Sequence, residues 1–371
     1  KGIDGPLLGL MDIERGKHIT RDTIFRIFSM TKPITSVAFM RLYELGLVSL
    51  DDPVHKFIPS WKDLIVYQSG NLNNFFGIPP SQPMTIKHLL THQSGLSYGI
   101  MSDTKVDQAY RTLINLSDPN SGTLEDLIEV LSNLPLLFTP GSAWNYSLST
   151  DVLGFLISII SDMDFDDYLK KYIFDPLEMK DTDFYVPDEK IHRLAANYVS
   201  VPSNYSSEEN FSESEGLRLI DDPLESIYGE KPAYLSGGGG LVSTLDDYMN
   251  FSRMLLNKGG LGDAFILNPE TVELMTQNHI PNNNDLNQFA MTGIHWAESS
   301  FEDVGFGLGF STQTADTSEG SKGQYGWGGA ASTYFWIDPQ IDLICIFMTQ
   351  FVPSYTYDIR NELKRIVYSI S

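Results

Sequence analysis

The sequence predicts an α+β fold in which both chain ends contribute to one antiparallel sheet, with flanking helices and a mostly helical middle region. Strand-like segments cluster at the end of the chain, another lies near its beginning, and amphipathic helices occupy the part between. Consecutive strands joined by tight turns pair antiparallel, whereas a doubly wound fold alternates strands and helices throughout. We therefore expect residues 1–57 and 298–371 to form a sheet domain and residues 58–297 a mostly helical domain, with the candidate site between them.

The composition indicates a large core and a strong negative charge. Of 371 residues, 42% are apolar, which is enough to bury a sizeable core. No apolar run reaches the ~18 residues that a membrane-spanning helix needs. Forty-eight acidic residues against 25 basic ones give a formal net charge of -23. Nucleic acids and anionic membranes are bound by basic patches, so this charge argues against both partners.

The single cysteine bears on the cellular compartment. Cys345 lies in the strand-like segment DLICIFM, and we interpret it as a packed, inert thiol. One cysteine cannot form a disulfide within the chain, which favours the cytoplasm. The sequence begins at Lys1 without a charged-then-apolar leader, so a periplasmic location stays an alternative if a leader was removed. The sequence does not indicate the oligomeric state.

The first predicted elements are a strand, a turn and a helix. The strand lies within Gly5–Ile13, and ERGK forms the turn after it. Gly46 suits a helix C-terminal cap, and Pro33 is compatible with a helix because it falls in the first turn. The apolar residues between them follow the 3.6-residue period of a helix; they are Ile34, Val37, Ala38, Leu42 and Leu45.

The middle of the chain predicts helices separated by long polar segments. Candidate helices span Thr85–His92, Thr123–Leu134, Ser149–Ser161 and Thr244–Leu256. Residues 62–84 and 200–231 are rich in Pro, Gly, Asn and Ser and show no hydrophobic period. We expect both to be surface loops of the kind that cover a site.

The last part of the chain predicts strands followed by one helix. GFGLGFST, STYFWID and DLICIFMTQ are strand-like, and Asp338–Pro339 opens the turn between the last two. The final helix has an apolar face, made of Ile359, Leu363, Ile366 and Ile370.

Two Ser-x-x-Lys patterns occur, at Ser29/Lys32 and at Ser102/Lys105. Side chains three residues apart on a helix share a face, so a hydroxyl and an amine can meet there. A serine at the beginning of a helix also lies in the partial positive charge of the helix end. Only the first pair precedes an apolar helical stripe. The alternative is a serine cap with a solvated lysine, and we interpret the second pair in that way.

Two further segments carry groups that suit a nucleophilic serine. In PGSAWNYSLSTDVLG, Tyr146 precedes the helix predicted at Ser149. A phenol has a free pKa of ~10 and can act as a base beside a stabilising cation, although packing is the commoner role. In YGWGGAAST, residues 325–333, paired glycines interrupt a strand. They indicate either a bulge or a close approach of the backbone to a ligand.

Five segments in one order resemble the serine β-lactamase/penicillin-binding-protein superfamily. They are FRIFSMTKPITSVAFMRLYELGLVSLDDPV, HLLTHQSGLSYG, PGSAWNYSLSTDVLG, SGGGGLVSTLDDYMNF and WGGAAST. The resemblance runs from about Asp12 to the C-terminus. It is greatest to the esterase branch, the family-eight carboxylesterases, which are similar to class C β-lactamases. It implies a β-lactamase/transpeptidase-like fold and a serine carboxylesterase that works through an acyl-enzyme.

Carried over by position, the resemblance makes Ser29 the nucleophile, with Lys32 and Tyr146 forming its base. The amides of Ser29 and Ala330 would form the oxyanion hole. A serine hydroxyl is a poor nucleophile until a base takes its proton. Free lysine and tyrosine have pKa values of ~10, so we expect activity to rise toward alkaline pH, whichever of the two holds the proton at rest. The residues placed at the substrate are Trp327, Gly328, Gly329 and Leu148.

Other motifs predict chemistry less well. GLSYG matches the nucleophile elbow of α/β-hydrolases, but Ser97 follows a helix-like run instead of a buried strand. His88 and His92 lack the glutamate of an H-E-x-x-H zinc site, so we predict no metal and no cofactor. Gly237–Gly240 lacks the Lys-Ser/Thr of a phosphate loop and is interpreted as a turn near the site.

Two departures from the β-lactamase pattern favour esters. Leu148 stands where those enzymes have Asn, and Trp327 stands where they have the Lys of Lys-Thr-Gly. We therefore expect a hydrolase of small neutral carboxylic esters, whose partner is a small-molecule ester. Lys322 is a nearby cation that a loop could bring to the site. The alternatives are a β-lactamase or D-aminoacyl peptidase/acyltransferase of the same superfamily and, in another class, a non-catalytic penicillin-type sensor or scaffold.

Overall fold

The computed structural model describes residues 5–115, 118, 120–200, 216–291 and 301–369. Its helices are α1 (Thr31–Glu44), α2 (Ile86–Leu90), α3 (Lys105–Leu113), α4 (Leu124–Ser132), α5 (Ser149–Ser161), α6 (Phe165–Leu169), α7 (Leu245–Leu256), α8 (Pro269–Thr276), α9 (Leu286–Phe289) and α10 (Ile359–Ser369). Its strands are β1 (Leu10–Asp12), β2 (Lys17–His18), β3 (Phe25–Arg26), β4 (Val66–Asn71), β5 (Asn74–Ile78), β6 (Asn197–Ser200), β7 (Leu217–Asp221), β8 (Val242–Ser243), β9 (Gly260–Leu261), β10 (Ala264–Phe265), β11 (Val304–Phe306), β12 (Ser311–Gln313), β13 (Tyr325–Gly328), β14 (Tyr334–Asp338), β15 (Leu343–Phe347) and β16 (Phe351–Val352).

Helices α1, α2, α4, α5 and α7 lie where the hydrophobic period predicts them. Local sequence explains their ends. Gly46 follows α1 with a φ of 71°, a left-handed conformation that glycine adopts without steric cost. The side chains of Thr85, Thr123 and Thr244 cap α2, α4 and α7 by accepting a hydrogen bond from a backbone amide of the first turn.

A five-stranded antiparallel sheet in the order β11-β12-β13-β14-β15 forms the C-terminal part of the molecule. Successive strand residues face opposite sides. On β14, the Phe335 ring lies 4.9 Å from Tyr248 of α7, and the neighbouring Trp336 ring lies 6.5 Å from Tyr368 of α10. Helices therefore pack on both faces of this sheet.

The sheet differs from its prediction in one respect, because all its strands come from residues 304–347. The N-terminal strands pair elsewhere: β1 with β2 across the turn at residues 13–16, and β3 with β8. A short strand followed by a tight turn closes on its neighbour in sequence more readily than on a distant edge. The predicted boundary at residue 298 lies outside the described residues, so the division into two domains stays a prediction.

The two predicted loops also differ from expectation. Residues 62–84 contain the hairpin β4–β5. Its apolar residues do not alternate with polar ones, because β4 is mostly polar and Phe75 and Phe76 are adjacent on β5. In the second segment, residues 201–215 lie outside the described residues, while β7 pairs with β6 and a 3-10 helix spans Ile227–Gly229. Ile370 of the predicted apolar face also lies outside the described residues.

Helix α1 lies in the centre of the fold and positions the site. It packs against α5, and residues 31–40 are all buried. A helix buried on all sides must carry its polar side chains into the interior as well, where each needs a partner. No helix of the described residues is long and apolar enough to cross a membrane.

Candidate active site

Ser29 lies in a 3-10 turn, Phe28–Met30, directly before α1. Phe28 has a φ of 42°, which bulky side chains rarely adopt and which is often found at functional sites. The partly buried Ser29 lines a cavity of about 470 Å³. The predicted nucleophile therefore lies at an accessible site in a strained turn.

Lys32 lies one turn further on and is 1% exposed. Its Nζ donates to Ser29 Oγ at 3.2 Å and to the Gly238 carbonyl at 2.6 Å. The same nitrogen lies 4.4 Å from the centre of the Tyr146 ring. The structure thus brings Tyr146, which is distant in sequence, to the Ser29/Lys32 pair.

The glycine run joins Lys32 to a buried carboxylate that the sequence did not indicate. Gly238 accepts from Lys32 through its carbonyl and donates through its amide to Asp151 Oδ1 at 3.2 Å. A Cβ atom at residue 238 would lie 2.5 Å from Asp151 Oδ2, so only glycine fits this close approach. The interpretation of Gly237–Gly240 as a turn near the site is confirmed by this contact.

Tyr146 precedes α5, and its loop is held by the GLSYG segment. Asn145 Nδ2 donates to the Leu96 carbonyl at 3.0 Å, and the Leu148 amide donates to the Ser97 carbonyl at 3.1 Å. Leu148 itself is fully buried and does not line the cavity. The structure therefore does not bring this predicted substrate residue to the site.

Trp327 holds Tyr146 instead of lining the cavity. Its indole Nε1 donates to the Tyr146 hydroxyl at 3.2 Å. An indole N–H can only donate, so the Tyr146 oxygen is the acceptor. A hydrogen bond given to a phenol oxygen favours negative charge there. Trp327 can thus support Tyr146 in the role of a base.

A second tyrosine, Tyr98 of GLSYG, also belongs to the site. Its ring stacks on Tyr146 with centroids 5.4 Å apart, and its hydroxyl accepts from Lys32 Nζ at 3.4 Å. Burial, with the nearby Asp151 and Tyr146, raises the pKa of Tyr98 well above its ordinary value. Tyr98 therefore stays a neutral phenol. The GLSYG motif points to Ser97 when it is compared with known sequence patterns, so Tyr98 is not among the predicted site residues.

His92 also contacts Tyr146, with ring centroids 4.9 Å apart. Burial, and then the charge of Lys32, lowers the pKa of His92 well below its ordinary value. Its Nδ1 is 3.0 Å from Ser147 Oγ. His92 is therefore a neutral packing residue beneath the site.

The predicted oxyanion groups lie on the same cavity wall. Ser29, Gly328, Gly329 and Ala330 all line the cavity. No backbone hydrogen bond among the described residues uses the amide of Ser29 or Ala330. A Cβ atom at residue 329 would lie 2.5 Å from the carbonyl oxygen of Ile27. The small size of Gly329 thus lets β13 and its following turn approach the nucleophile segment.

The cation that lines the cavity at the end of β13 is Arg360 of α10, whereas Lys322 does not reach the cavity. Lys322 is exposed and does not line the cavity. Arg360 lines the cavity, and its Nη2 donates to the carbonyls of Gly329 at 2.8 Å and Thr333 at 3.2 Å. A Cβ atom at residue 328 would lie 2.6 Å from this guanidinium. Nothing in the sequence pairs residues 328 and 360, because only the packing of α10 joins them.

The two other motif serines, Ser97 of GLSYG and Ser102 of the second Ser-x-x-Lys, bind the same carboxylate. Ser97 Oγ and Ser102 Oγ both donate to Asp107, and neither serine lines the cavity. Lys105 Nζ donates to Gln108 at 3.0 Å on the exposed surface. Asp107 belongs to the capping box that Thr104 forms at the beginning of α3, so Ser97 and Ser102 support a helix end and lie away from the cavity.

His88 and His92 have separate structural contacts, and no further ligand joins them within the part of the chain that the structure describes. His88 Nδ1 accepts from the Thr85 amide at 3.1 Å within the cap of α2, and burial lowers the pKa of His88 to about 4. The described residues contain no group of three or more His, Cys, Asp and Glu side chains that could hold a metal ion.

Comparison with known proteins places this geometry in a family. A profile of the family described as Beta-lactamase matches residues 4–368. The chain belongs to the Beta-lactamase family. The predicted resemblance and the β-lactamase/transpeptidase-like fold class are thereby confirmed. The family belongs to a superfamily of serine hydrolases.

Relatives of this Beta-lactamase family member include esterases. Protein Rv1367c of Mycobacterium tuberculosis (strain ATCC 25618 / H37Rv) is 32% identical over 359 residues, which cover 95% of this chain and 83% of that protein. Esterase EstB of Burkholderia gladioli is 30% identical over 252 residues, covering 65% of this chain and 59% of the esterase. The solved structure of EstCE1, described as a hydrolase with promiscuous acyltransferase activity, superposes with a TM-score of 0.76 at 26% identity, covering 98% of this chain and 89% of that one.

Proposed function

We propose that the protein hydrolyses small neutral carboxylic esters through an acyl-enzyme on Ser29. The observation that supports this most is the placement of Lys32 Nζ 3.2 Å from Ser29 Oγ, beneath the Tyr146 ring and beside an accessible cavity. A nucleophile within hydrogen-bond reach of a base, which a third group holds in place, is typical of covalent catalysis.

The proposed reaction has two acyl-transfer steps. Ser29 Oγ attacks the ester carbonyl carbon while its proton passes to the Lys32/Tyr146 pair. The carbonyl oxygen becomes an oxyanion that the amides of Ser29 and Ala330 stabilise. The alcohol then leaves with the proton from the same pair. In the second step water attacks the acyl carbon and gives a proton to the pair. The bond to Ser29 Oγ then breaks, the pair returns the proton to that oxygen, and the carboxylic acid leaves.

The residues around β13 favour an ester over a penicillin. Where β-lactamases have a lysine, Trp327 donates to Tyr146, and the nearby Arg360 already donates to two backbone carbonyls. A β-lactam carboxylate would have to compete for that guanidinium or be buried without a partner, which is costly. Loss of one hydrogen bond to a charged group costs ~1.5–3 kcal/mol, roughly a tenfold to hundredfold penalty.

The choice between esterase and β-lactamase is tested by two substrates. We expect kcat/KM for p-nitrophenyl butyrate to exceed that for nitrocefin at the same pH and salt concentration. The reverse order would replace the esterase proposal by a β-lactamase.

The nucleophile is tested by covalent labelling. A phosphonate ester inhibitor should add one adduct to the intact protein, and peptide mapping should place it on Ser29. Ser29→Ala should abolish the adduct, whereas Ser97→Ala should retain it. A label on Ser97 would overturn the mechanism. Release of more than one equivalent of p-nitrophenol separates an enzyme from a penicillin-type sensor that is acylated only once.

Acyl transfer to an alcohol is the second candidate, because the structural relative EstCE1 is described as having promiscuous acyltransferase activity. An acyl-enzyme partitions between water and any alcohol that reaches it. Adding an alcohol to the p-nitrophenyl butyrate assay and quantifying new ester against butyric acid measures this partition. Ester as the main product would make transfer the favoured function.

A further inference from the structure

The cavity at Ser29 is walled by apolar side chains from several separate segments. They include Phe184, Tyr228, Val352 and Pro353. Among the described residues that line the cavity, Arg360 alone carries a formal charge, and it donates to the carbonyls of Gly329 and Thr333. A ligand that fills this space therefore meets mostly hydrocarbon.

The apolar surface continues to the mouth of the cavity. Three lining residues are strongly exposed: Ile100 at 65%, Ile227 at 51% and Tyr355 at 57%. They come from the loop after Gly99, the 3-10 helix at residues 227–229 and the 3-10 helix at residues 354–356. Single exposed apolar residues are ordinary on a protein surface, but several around one cavity are typical of a ligand-binding groove.

The cavity is larger than the volume that the reacting ester group occupies. At about 470 Å³ it falls within the ~300–1,000 Å³ of typical small-molecule sites, which bury most of a ligand's surface in apolar walls. An acetyl ester at Ser29 would leave the three mouth residues in water. A longer hydrocarbon chain would cover them and release that water.

We propose that the site is specific for esters with an extended, uncharged apolar group that runs from Ser29 to Ile100, Ile227 and Tyr355. This inference rests on the proposed function, because it names the substrate class of the same site. Either the acyl chain or the alcohol chain of the ester supplies this hydrocarbon, and the two sources are distinguished experimentally.

The physical expectation is a rise in kcat/KM with chain length. Each methylene transferred from water to an apolar wall contributes roughly fourfold in an equilibrium constant. The increase should stop once the chain passes the mouth. A carboxylate at the chain end should cancel the gain, because it would have to lose water among hydrocarbon walls.

The experiment compares two ester series on the full chain. The acyl series is p-nitrophenyl acetate, butyrate, hexanoate and octanoate. The alcohol series is ethyl, butyl, hexyl and octyl acetate, and its hydrolysis is measured by the release of acetic acid. We expect kcat/KM to rise at least about tenfold from the two-carbon to the six-carbon member in one of the series. A p-nitrophenyl monoester of adipic acid should be slower than the hexanoate.

Variants at the cavity mouth test the assigned residues. Ile100→Ser, Ile227→Ser and Tyr355→Ser should each lower the ratio of long-chain to short-chain kcat/KM by about threefold to tenfold. Leu45→Ser is the matched control, since Leu45 is 63% exposed after α1 and does not line the cavity; its ratio should not change.

The outcomes separate this inference from the proposed function. If the acetate is hydrolysed but kcat/KM stays constant or falls with chain length in both the acyl and the alcohol series, the inference is overturned and the esterase proposal stands. Equal rates for the adipate monoester and the hexanoate also overturn it. Absence of turnover with every ester overturns the proposed function itself.

Discussion

The two Ser-x-x-Lys patterns share a spacing but differ in every structural respect. At the first, Lys32 is 1% exposed and its Nζ lies 3.2 Å from Ser29 Oγ. At the second, Lys105 donates to Gln108 on the surface, and Ser102 donates to Asp107. One pattern faces a cavity, and the other lies at the N-terminal end of α3 away from it.

The helix boundaries explain the difference. The turn with Ser29 leads directly into α1, so Ser29 and Lys32 face the same side of a buried helix. Helix α3 begins at Lys105 with Thr104 as its cap, so Ser102 lies outside the helix. Spacing places two side chains on one face only where both belong to one helical segment. Burial then decides whether the lysine meets serine or water.

The largest effect is expected from the two serines. Ser29→Ala should lower kcat by at least about 10⁴-fold, because no nucleophile remains. Ser102→Ala should keep near-normal kcat, because its hydroxyl only donates to Asp107 away from the cavity. Single-turnover release of p-nitrophenol measures both. Comparable losses in the two variants would remove the contrast between the patterns.

The two lysines sharpen the contrast. Lys32→Met should lower kcat by about 10²–10⁴-fold, the usual contribution of a positioned general base. Lys105→Met makes the same replacement at an exposed position outside the cavity, so it should leave kcat unaltered. Circular dichroism checks that both variants fold. A folded Lys32→Met variant with normal kcat would remove Lys32 from the chemistry.

The two stacked tyrosines should differ in pH dependence. Tyr146→Phe should lower kcat by about 10²-fold and change KM little, and should alter the alkaline rise of activity. Burial keeps the pKa of Tyr98 well above its ordinary value, so Tyr98 is a neutral phenol throughout the assay range. Tyr98→Phe should therefore lower kcat by less than tenfold and keep the shape of the pH profile. If the pH profiles of kcat for Tyr146→Phe and Tyr98→Phe change in the same way, the two tyrosines do not have different roles.

The smallest effect concerns stability at Ser102. Burial alone would raise the pKa of Asp107, but hydrogen bonds from Ser102, Ser97 and Thr104 outweigh it and lower that pKa. Such a carboxylate stabilises the fold above its unfolded pKa of ~3.9, and this contribution is lost as pH falls through the folded value. Ser102→Ala should lower the free energy of unfolding by about 1–2 kcal/mol at pH 7, and by less below about pH 4.

Urea unfolding at the two pH values measures this difference. Ser142→Ala is the matched control, since its hydroxyl donates to the neutral Thr139 carbonyl at 2.7 Å on the surface. Its cost should not depend on pH. A Ser102→Ala deficit that also stays constant with pH would show that the Asp107 charge is not involved.

Much of the fold follows from local patterns. The apolar period of α1, its Pro33 and its Gly46 predict that helix nearly to its ends, and threonine caps do the same for α2 and α4. The hairpin at residues 66–78 escapes prediction because β4 is mostly polar, while β5 places apolar residues on both faces and leaves Phe76 and Ile78 exposed. Its register involves the contact between Tyr67 and Phe75, whose rings pack across the two strands.

The sequence by itself determined the family and the order of its five motifs. It also determined the placement of Ser29 and Lys32 on one helical turn, because helix geometry is local. Tertiary structure decided which pair is buried, and it added Tyr98, Asp151 and Arg360 to the site. These residues lie 66, 85 and 31 positions from their partners Lys32, Ser236 and Gly329. Contacts over such separations arise only when distant segments pack together, and no periodicity along the chain encodes them.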